Sequence, residues 1–484
     1  MPDPRLRLLP SISAVLEDER VAPHATGQRR SWLTRVAQQA VASVRARLDA
    51  LAEELPPAED AARSALHEAV VARVLQERER LLGPSLRRVV NATGVVVHTN
   101  LGRAVCPAVA AARLTEAACR PCDLEYRLDS GVRGHRGRGV EEKAALLCGA
   151  AAALVVNNNA AALWLAVRGC AGAARVILSR GEIVAIGGSF RIDEILRETG
   201  CELVEVGTTN RTLLIDYQRA LAPGAVVLKV HRSNFAVSGF VEEVRLAELA
   251  ALCRAGGHVL IYDAGSGSIF PCQQLGLRGE PTLAEDIASG PDLVTCSGDK
   301  LLGGGQGGLI LGSAPLIEML RRHPLRRALR VDKLTLAALD AVLTLYLEAE
   351  DLPAIPVLEM LALDVEELER RARALGDELV PAAPPGWSAE IVAGTSSVGG
   401  GSFSEAELPT RLLLWKGPKT ELESCHANLR LGAPSVVTRM NQDGLAVDPR
   451  TVAPDELASV AKAFRAAWTR AGAETAQRGR GRAR

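Results

Sequence analysis

Ser297-Gly298-Asp299-Lys300-Leu301-Leu302-Gly303-Gly304-Gly305 is the stretch on which the fold turns. A lysine follows the end of the apolar run Leu293-Val294-Thr295-Cys296 and precedes a run of glycines. Such glycines let the backbone pass close to a bound group. Ser297, three residues before the lysine, offers a hydroxyl to a phosphate. The order excludes a nucleotide P-loop, whose glycines come before the lysine. Working outward, Asp263 ends a second apolar run, Val259-Leu260-Ile261-Tyr262, and leads into Ala264-Gly265-Ser266-Gly267-Ser268. A third run, Ala225 to Val230, lies further upstream. Short β-branched runs of this kind read as parallel strands buried on both faces, with ligands met at their C-terminal ends.

Two further pieces complete the pattern. In Val155-Val156-Asn157-Asn158-Asn159-Ala160-Ala161 a strand passes into a helix, a junction whose free N–H groups suit an anion. A plain Asn-rich turn is the alternative there. In His231-Arg232-Ser233-Asn234, Asn234 is placed to hydrogen-bond a phenolic oxygen. His231 either stacks on a ring or is a satisfied core histidine. Taken in order, phosphate cup, Asn, Asp and Lys point to a pyridoxal-phosphate (PLP) enzyme of the aspartate-aminotransferase-like fold (fold type I). In that reading Lys300 is the catalytic residue and carries the cofactor as a Schiff base. Asp263 pairs with the pyridine nitrogen and keeps the ring an electron sink. Ser297, Asn158 and Asn159 face the phosphate, and Asn234 and His231 face the ring. Without Lys300 downstream, Asp263 would read as a capping residue.

Bulk properties fit a large enzyme. The chain has 484 residues, 48% of them apolar, and 57 basic residues balance 57 acidic ones. Neutrality does not announce a nucleic-acid partner and does not exclude a basic patch. No apolar run reaches membrane-spanning length, and the N-terminus lacks a signal-peptide core, so a cytoplasmic location is expected. Ten scattered cysteines suit reduced thiols. One CxxC, Cys119 to Cys122, has no second pair at zinc spacing, and no metal is expected.

Composition divides the chain into four parts. Residues 1–85 read as a helical domain, with apolar positions Trp32, Leu33, Val36, Ala40 and Val70, Val74, Leu81 at helical spacing around a break at Glu53-Glu54-Leu55-Pro56-Pro57. Twelve acidic and twelve arginine residues balance there. Residues 86–335 read as the PLP-binding large domain with a mostly parallel sheet. Residues 336–470 read as a small α+β domain, and 471–484, with Arg478, Arg480, Arg482 and Arg484, as a disordered basic tail.

Several motifs carry a closer resemblance. They are Asn91-Ala92-Thr93-Gly94, His98 to Arg103, Arg133-Gly134-His135-Arg136, Ser179 to Glu182, Ile186 to Arg191, Glu205 to Arg211, Ser297 to Gly304 and Arg322 to Thr335. With them the chain resembles the bacterial L-seryl-tRNA(Sec) selenium transferases, the selenocysteine synthases, over nearly its whole length. The resemblance implies conversion of seryl-tRNA(Sec) to selenocysteinyl-tRNA(Sec) by β-elimination to an aminoacrylyl-tRNA and addition of selenium from selenophosphate. It implies tRNA binding by residues 1–85 and a ring-shaped homodecamer built from dimers. It assigns Arg103, Arg327 and Arg330 to the anionic selenium donor, to which a guanidinium fork is matched. Interface salt bridges are the alternative for these arginines. Because the substrate carboxyl is esterified, Arg430 and Arg439 need not clamp a carboxylate. Shorter relatives suggest a rival, a PLP-dependent lyase of a phosphorylated sugar acid or amino acid, and a non-catalytic RNA-binding scaffold is a second.

Overall fold

The computed structural model describes residues 4–51, 55–172, 175–186, 190–232, 234–235, 237–277 and 279–482. The chain forms two compact units, Met1–Arg88 and Val89–Arg484. The first is built on helices Ile12–Glu17, Arg29–Ala46 and Glu59–Leu82, which bury Leu33, Val36, Val70 and Val74. Leu81, which shares the helical spacing, is instead about half exposed, one residue from the helix end. Part of the break at Glu53–Pro57 lies outside the described residues.

The second unit centres on a seven-stranded sheet. Its strands in chain order are β1 (Ala152–Val156), β2 (Arg175–Ser179), β3 (Glu202–Val206), β4 (Val226–Val230), β5 (Val259–Gly265), β6 (Leu293–Ser297) and β7 (Gly308–Gly312). The spatial order is β1-β7-β6-β5-β4-β2-β3. All neighbours are parallel except β7, which runs antiparallel to β6 and β1. Side-chain alternation sends Tyr262, Val294, Leu309 and Leu311 into one core and Ile261, Leu293 and Ile310 into another. Both faces are therefore apolar, which is why these strands read as unbroken Val/Leu/Ile runs. Helices Arg138–Cys148 and Lys333–Glu348 cover the first face, and Asn159–Ala171 covers the second.

The C-terminal part adds a long hairpin, Ser388–Gly399 with Ser402–Lys416, packed under helices. Trp415, Phe464 and Trp468 form its aromatic centre, with the Trp415 and Trp468 rings 5.1 Å apart. Two boundaries differ from expectation. Residues 89–97 belong with this C-terminal part, because Val89–Asn91 forms a separate two-stranded sheet with Ser435–Val437 and Val95–Val97 pairs with the hairpin strand Ser388–Gly399. The final helix, Leu457–Arg482, carries regular backbone through most of the segment expected to be a disordered tail, and Arg484 lies outside the described residues.

The Asn91–Gly94 motif is explained by this stitching. Asp448 is fully buried and accepts hydrogen bonds from Ser396, Thr410, Arg439 and the Arg450 backbone. Gly94, at φ +72°, lies so close that an added Cβ would sit 1.9 Å from Asp448 Oδ2. Gly94→Ala is therefore expected to cost about 2–4 kcal/mol, from overpacking and a left-handed backbone together. Denaturant unfolding of the variant checks this.

Candidate active site

Asp263 stands near the C-terminal end of β5, in the middle of the sheet, with 6% of its surface exposed. Its Oδ1 accepts three hydrogen bonds, from Asn159 Nδ2 at 2.8 Å, Thr295 Oγ1 at 3.1 Å and Gly265 N at 3.2 Å. Among the described residues Oδ2 accepts none. Burial raises the carboxyl pKa above its ordinary value, while the Asn159 bond and the Lys300 charge oppose the rise. The site thus holds a carboxylate that gains from a cationic partner on its open oxygen.

Lys300 follows β6 in the turn that opens at Ser297. Gly298 N donates to Gly307 O at 2.8 Å, and Gly303 N closes on Lys300 O at 3.0 Å. Gly303 sits at φ +77°, where a Cβ would fall 2.3 Å from Ile355, so only glycine fits there. Lys300 is 7% exposed. Among the described residues no hydrogen bond or ion pair holds its Nζ. Burial lowers its pKa; Asp263 pulls it back up and Arg103 pushes it further down. Arg103 reaches this turn from the loop after Val95–Val97, with Nη1 2.7 Å from Asp299 Oδ2 and its own backbone at φ +64°.

The two cup asparagines divide their work. Asn158 caps the helix Asn159–Ala171, its side chain accepting from Ala161 N at 2.8 Å. That leaves the first helical N–H groups, those of Asn159 and Ala160, without intrahelical partners. The Asn159 side chain turns to Asp263, and its Oδ1 is buried without a partner. Ser297 is buried at the end of β6, beside β7. Asn234 donates to Ala185 O at 2.7 Å; among the described residues its second N–H has no acceptor and its buried Oδ1 no donor. The His231 backbone N–H donates to Asp263 O at 2.9 Å, yet its ring is directed to Glu280, Nε2 lying 3.8 Å from Oε1. Asp286 lies near the same ring, its pKa pushed up to about 7 by burial.

The arginines separate. Arg103 stands beside Lys300. Arg330 has Nη1 3.7 Å from Glu125 Oε1, and among the described residues its buried Nε has no partner. Arg327 is exposed, in the short turn Pro324–Arg327. Its neighbour Arg326 is the more buried one, 3.9 Å from Glu141 and with an unpaired Nε. Arg439 is bound to Asp448 and Thr395 O, so it is occupied structurally. Cys119 and Cys122 are both exposed, and no group among the described residues could hold a metal. Gly187–Ser189 of the Ile186–Arg191 motif lie outside the described residues, as does Ser233. The Ser179–Glu182 and Glu205–Arg211 motifs meet each other: Arg180 Nη1 donates to Gly207 O at 2.6 Å, while Ser179 Oγ meets Thr212 Oγ1 at 2.7 Å and Glu182 holds buried Lys229 at 2.8 Å. The sequence reading missed Thr295 and Glu280. Thr295, opposite Asp263 in the register, was discoverable once β5 and β6 were paired. Glu280 sits in a loop and had no signal.

The donor set fits pyridoxal phosphate on three counts. Asp263 keeps Oδ2 open for a protonated ring nitrogen, Lys300 presents a buried amine with no partner among the described residues, and a capped helix leaves N–H groups free for a phosphate. Fold and site together define the class: a PLP-dependent enzyme of the aspartate-aminotransferase type. The fold is shared with a solved D-glucosaminate-6-phosphate ammonia-lyase, at TM-score 0.56 and 21% identity, over 82% of this chain and 99% of that one. A family profile for L-seryl-tRNA selenium transferase matches residues 89–453. The L-seryl-tRNA(Sec) selenium transferase of Geobacter sulfurreducens is 42% identical over 459 residues, covering 94% of this chain and 98% of its own. That of Solidesulfovibrio magneticus is 44% identical, covering 82% and 85%, and that of Aquifex aeolicus 42% identical, covering 79% and 84%. The chain belongs to the L-seryl-tRNA selenium transferase family.

Proposed function

We propose that this chain converts L-seryl-tRNA(Sec) to L-selenocysteinyl-tRNA(Sec), with selenophosphate as the selenium donor and pyridoxal phosphate as cofactor. The observation that carries the chemistry is the buried, unpartnered amine of Lys300 in the same site as an Asp263 whose bonds all fall on one oxygen. The family and its named relatives supply the substrate. When bound, the cofactor supplies a sink for the electron pair released at the seryl Cα. Lys300 takes that proton, because burial favours its neutral form. Asp263 holds the ring nitrogen protonated. Asn159 and Thr295 fix the carboxylate so that Oδ2 stays directed to that task. Ser297 and the helix start after Asn158 bind the phosphate, and Asn234 donates its free N–H to the phenolic oxygen.

Arg103 binds the anionic selenium donor beside the Lys300 turn. Arg330 and Arg327 serve the same anion, Arg330 with a buried N–H free to donate. The helical unit up to Arg88 grips the tRNA, residues 89–335 carry the cofactor apart from the strands lent to the C-terminal sheet, and residues beyond 336 complete the smaller domain. The chain works as a ring-shaped homodecamer built from dimers, in the cytoplasm. Among the described residues no helix is long and apolar enough to cross a membrane. The rival, a lyase of a phosphorylated small molecule, draws on the shared fold of the ammonia-lyase alone. Incubation with seryl-tRNA(Sec) and selenophosphate, followed by analysis of the released aminoacyl group, is expected to yield selenocysteine. Ammonia release from a phosphorylated amino sugar acid, with seryl-tRNA untouched, would establish the lyase instead.

A further inference from the structure

Glu280 lies outside every motif discussed above, yet its carboxylate is among the more completely buried groups of the chain, with 2% of the side chain exposed. It ties two parts of the fold together. Its Oε1 accepts the backbone N–H of Phe403, the residue just after the tip of the C-terminal hairpin. The same oxygen lies 3.8 Å from His231 Nε2, while among the described residues Oε2 is buried without a partner.

The hairpin tip needs holding. Gly399, Gly400 and Gly401 all have positive φ, and Phe403 follows at φ +50°, a conformation a bulky residue rarely adopts. The tip in turn packs on Val95–Val97: a Cβ on Gly399 would lie 2.5 Å from Val95 Cγ1, and one on Gly400 would lie 2.6 Å from Val97 Cγ1. Val97 leads directly into His98, whose carbonyl accepts Arg103 N at 3.0 Å. Arg103 then reaches Asp299, the residue before Lys300, and Ala104 N donates to Asp299 O at 3.1 Å. A continuous set of contacts thus runs from Glu280 through the hairpin tip and the Val95–Val97 strand to the guanidinium of Arg103.

We propose that Glu280 is a positioning residue: by fixing the Phe403 N–H it sets the hairpin tip, and through it the place of Arg103 beside the catalytic lysine. His231 is the ring that faces this carboxylate, and Asp286 is the other acid of the same enclosed space, with Tyr262 closing it from β5. The proposal rests on the assignment of Arg103 to the anionic selenium donor. Its physical core is a hydrogen bond to a backbone N–H, for which acceptor geometry matters more than charge. Glutamine keeps an acceptor oxygen in that place and alanine does not.

The test is steady-state kinetics of the full-length, PLP-loaded enzyme with selenophosphate as the varied substrate. Glu280→Ala is expected to raise KM for selenophosphate at least about tenfold while kcat at saturation and the cofactor absorbance change little. Glu280→Gln is expected to restore most of the loss. In a cycle with Arg103→Ala, the double variant is expected to be no worse than Arg103→Ala alone, since coupled residues are non-additive. Wild-type KM in Glu280→Ala, or fully additive losses, overturns the proposal. Equal defects in the Gln and Ala variants also overturn it, by placing the effect in the charge. If Glu280→Ala does not fold, the Gln variant and its cycle with Arg103→Ala still decide: a Gln variant that folds with a KM as poor as that of Arg103→Ala overturns the proposal. If Arg103→Ala itself leaves KM for selenophosphate unchanged, the donor assignment fails first, which separates the two failures.

Discussion

Lys300→Ala is expected to lower turnover of seryl-tRNA(Sec) by roughly 10³-fold or more, the scale on which a positioned proton-transfer group contributes. The fold should survive, because the turn around residue 300 is held by backbone bonds from Gly298, Gly303 and Leu301 and not by the lysine side chain. On the proposed assignment, removing the amine takes away both the covalent anchor of the cofactor and the base at the seryl Cα. Among the described residues the other buried lysine, Lys229 on the neighbouring strand β4, is already paired with Glu182. Single-turnover assays with purified variant check the rate. Unchanged unfolding behaviour distinguishes a chemical loss from a structural one. A variant retaining more than about a tenth of wild-type turnover would remove Lys300 from the catalytic role.

Asp263→Asn is expected to leave the fold intact and to reduce turnover on the order of 10²–10³-fold, the usual cost of removing one pre-set electrostatic partner. The side chain keeps its shape. An amide oxygen at the position of Oδ1 can still accept from Asn159, Thr295 and Gly265. Only Oδ2 changes, from a charged acceptor to a neutral donor, and it then repels a protonated ring nitrogen. In the cofactor-free protein the variant is also relieved of a buried charge, so its thermal stability measured without cofactor should equal or exceed that of the wild type. The pairing of lower rate with undiminished stability is the signature. Loss of both together would place Asp263 in the framework of the sheet and outside the chemistry.

Much of this site was legible because its chemistry follows the chain. Lys300 and Asp263 each end a buried run whose apolar composition marks it as a strand, and β4, β5 and β6 fall within a residue or two of the runs read from sequence. Their order along the chain predicts the order of their roles. Partners that meet only through sheet register were harder to see. Thr295 reaches Asp263 because β5 and β6 are parallel neighbours, and Glu280 reaches Phe403 across 123 residues. The same cause hid the origin of the C-terminal sheet, which recruits Val95–Val97 from more than 290 residues away in sequence. Among the arginines, a one-residue step in a tight turn decides burial: Arg326 points inward and Arg327 outward, a distinction that composition cannot carry. Asn158 and Asn159 illustrate the same point. Their types suited an anion cup, while the fold uses one as a helix cap and the other to aim a carboxylate.

The central claim, a lysine-bound cofactor in Lys300's site that acts on serine only when it is esterified to tRNA, is tested most directly by spectral titration. Purified protein is titrated with seryl-tRNA(Sec), with free L-serine and uncharged tRNA as controls, and the visible absorbance of lysine-bound pyridoxal phosphate is followed. The account predicts that seryl-tRNA(Sec) alone shifts the band. A band that responds to a phosphorylated small amino compound and ignores seryl-tRNA(Sec) would contradict it.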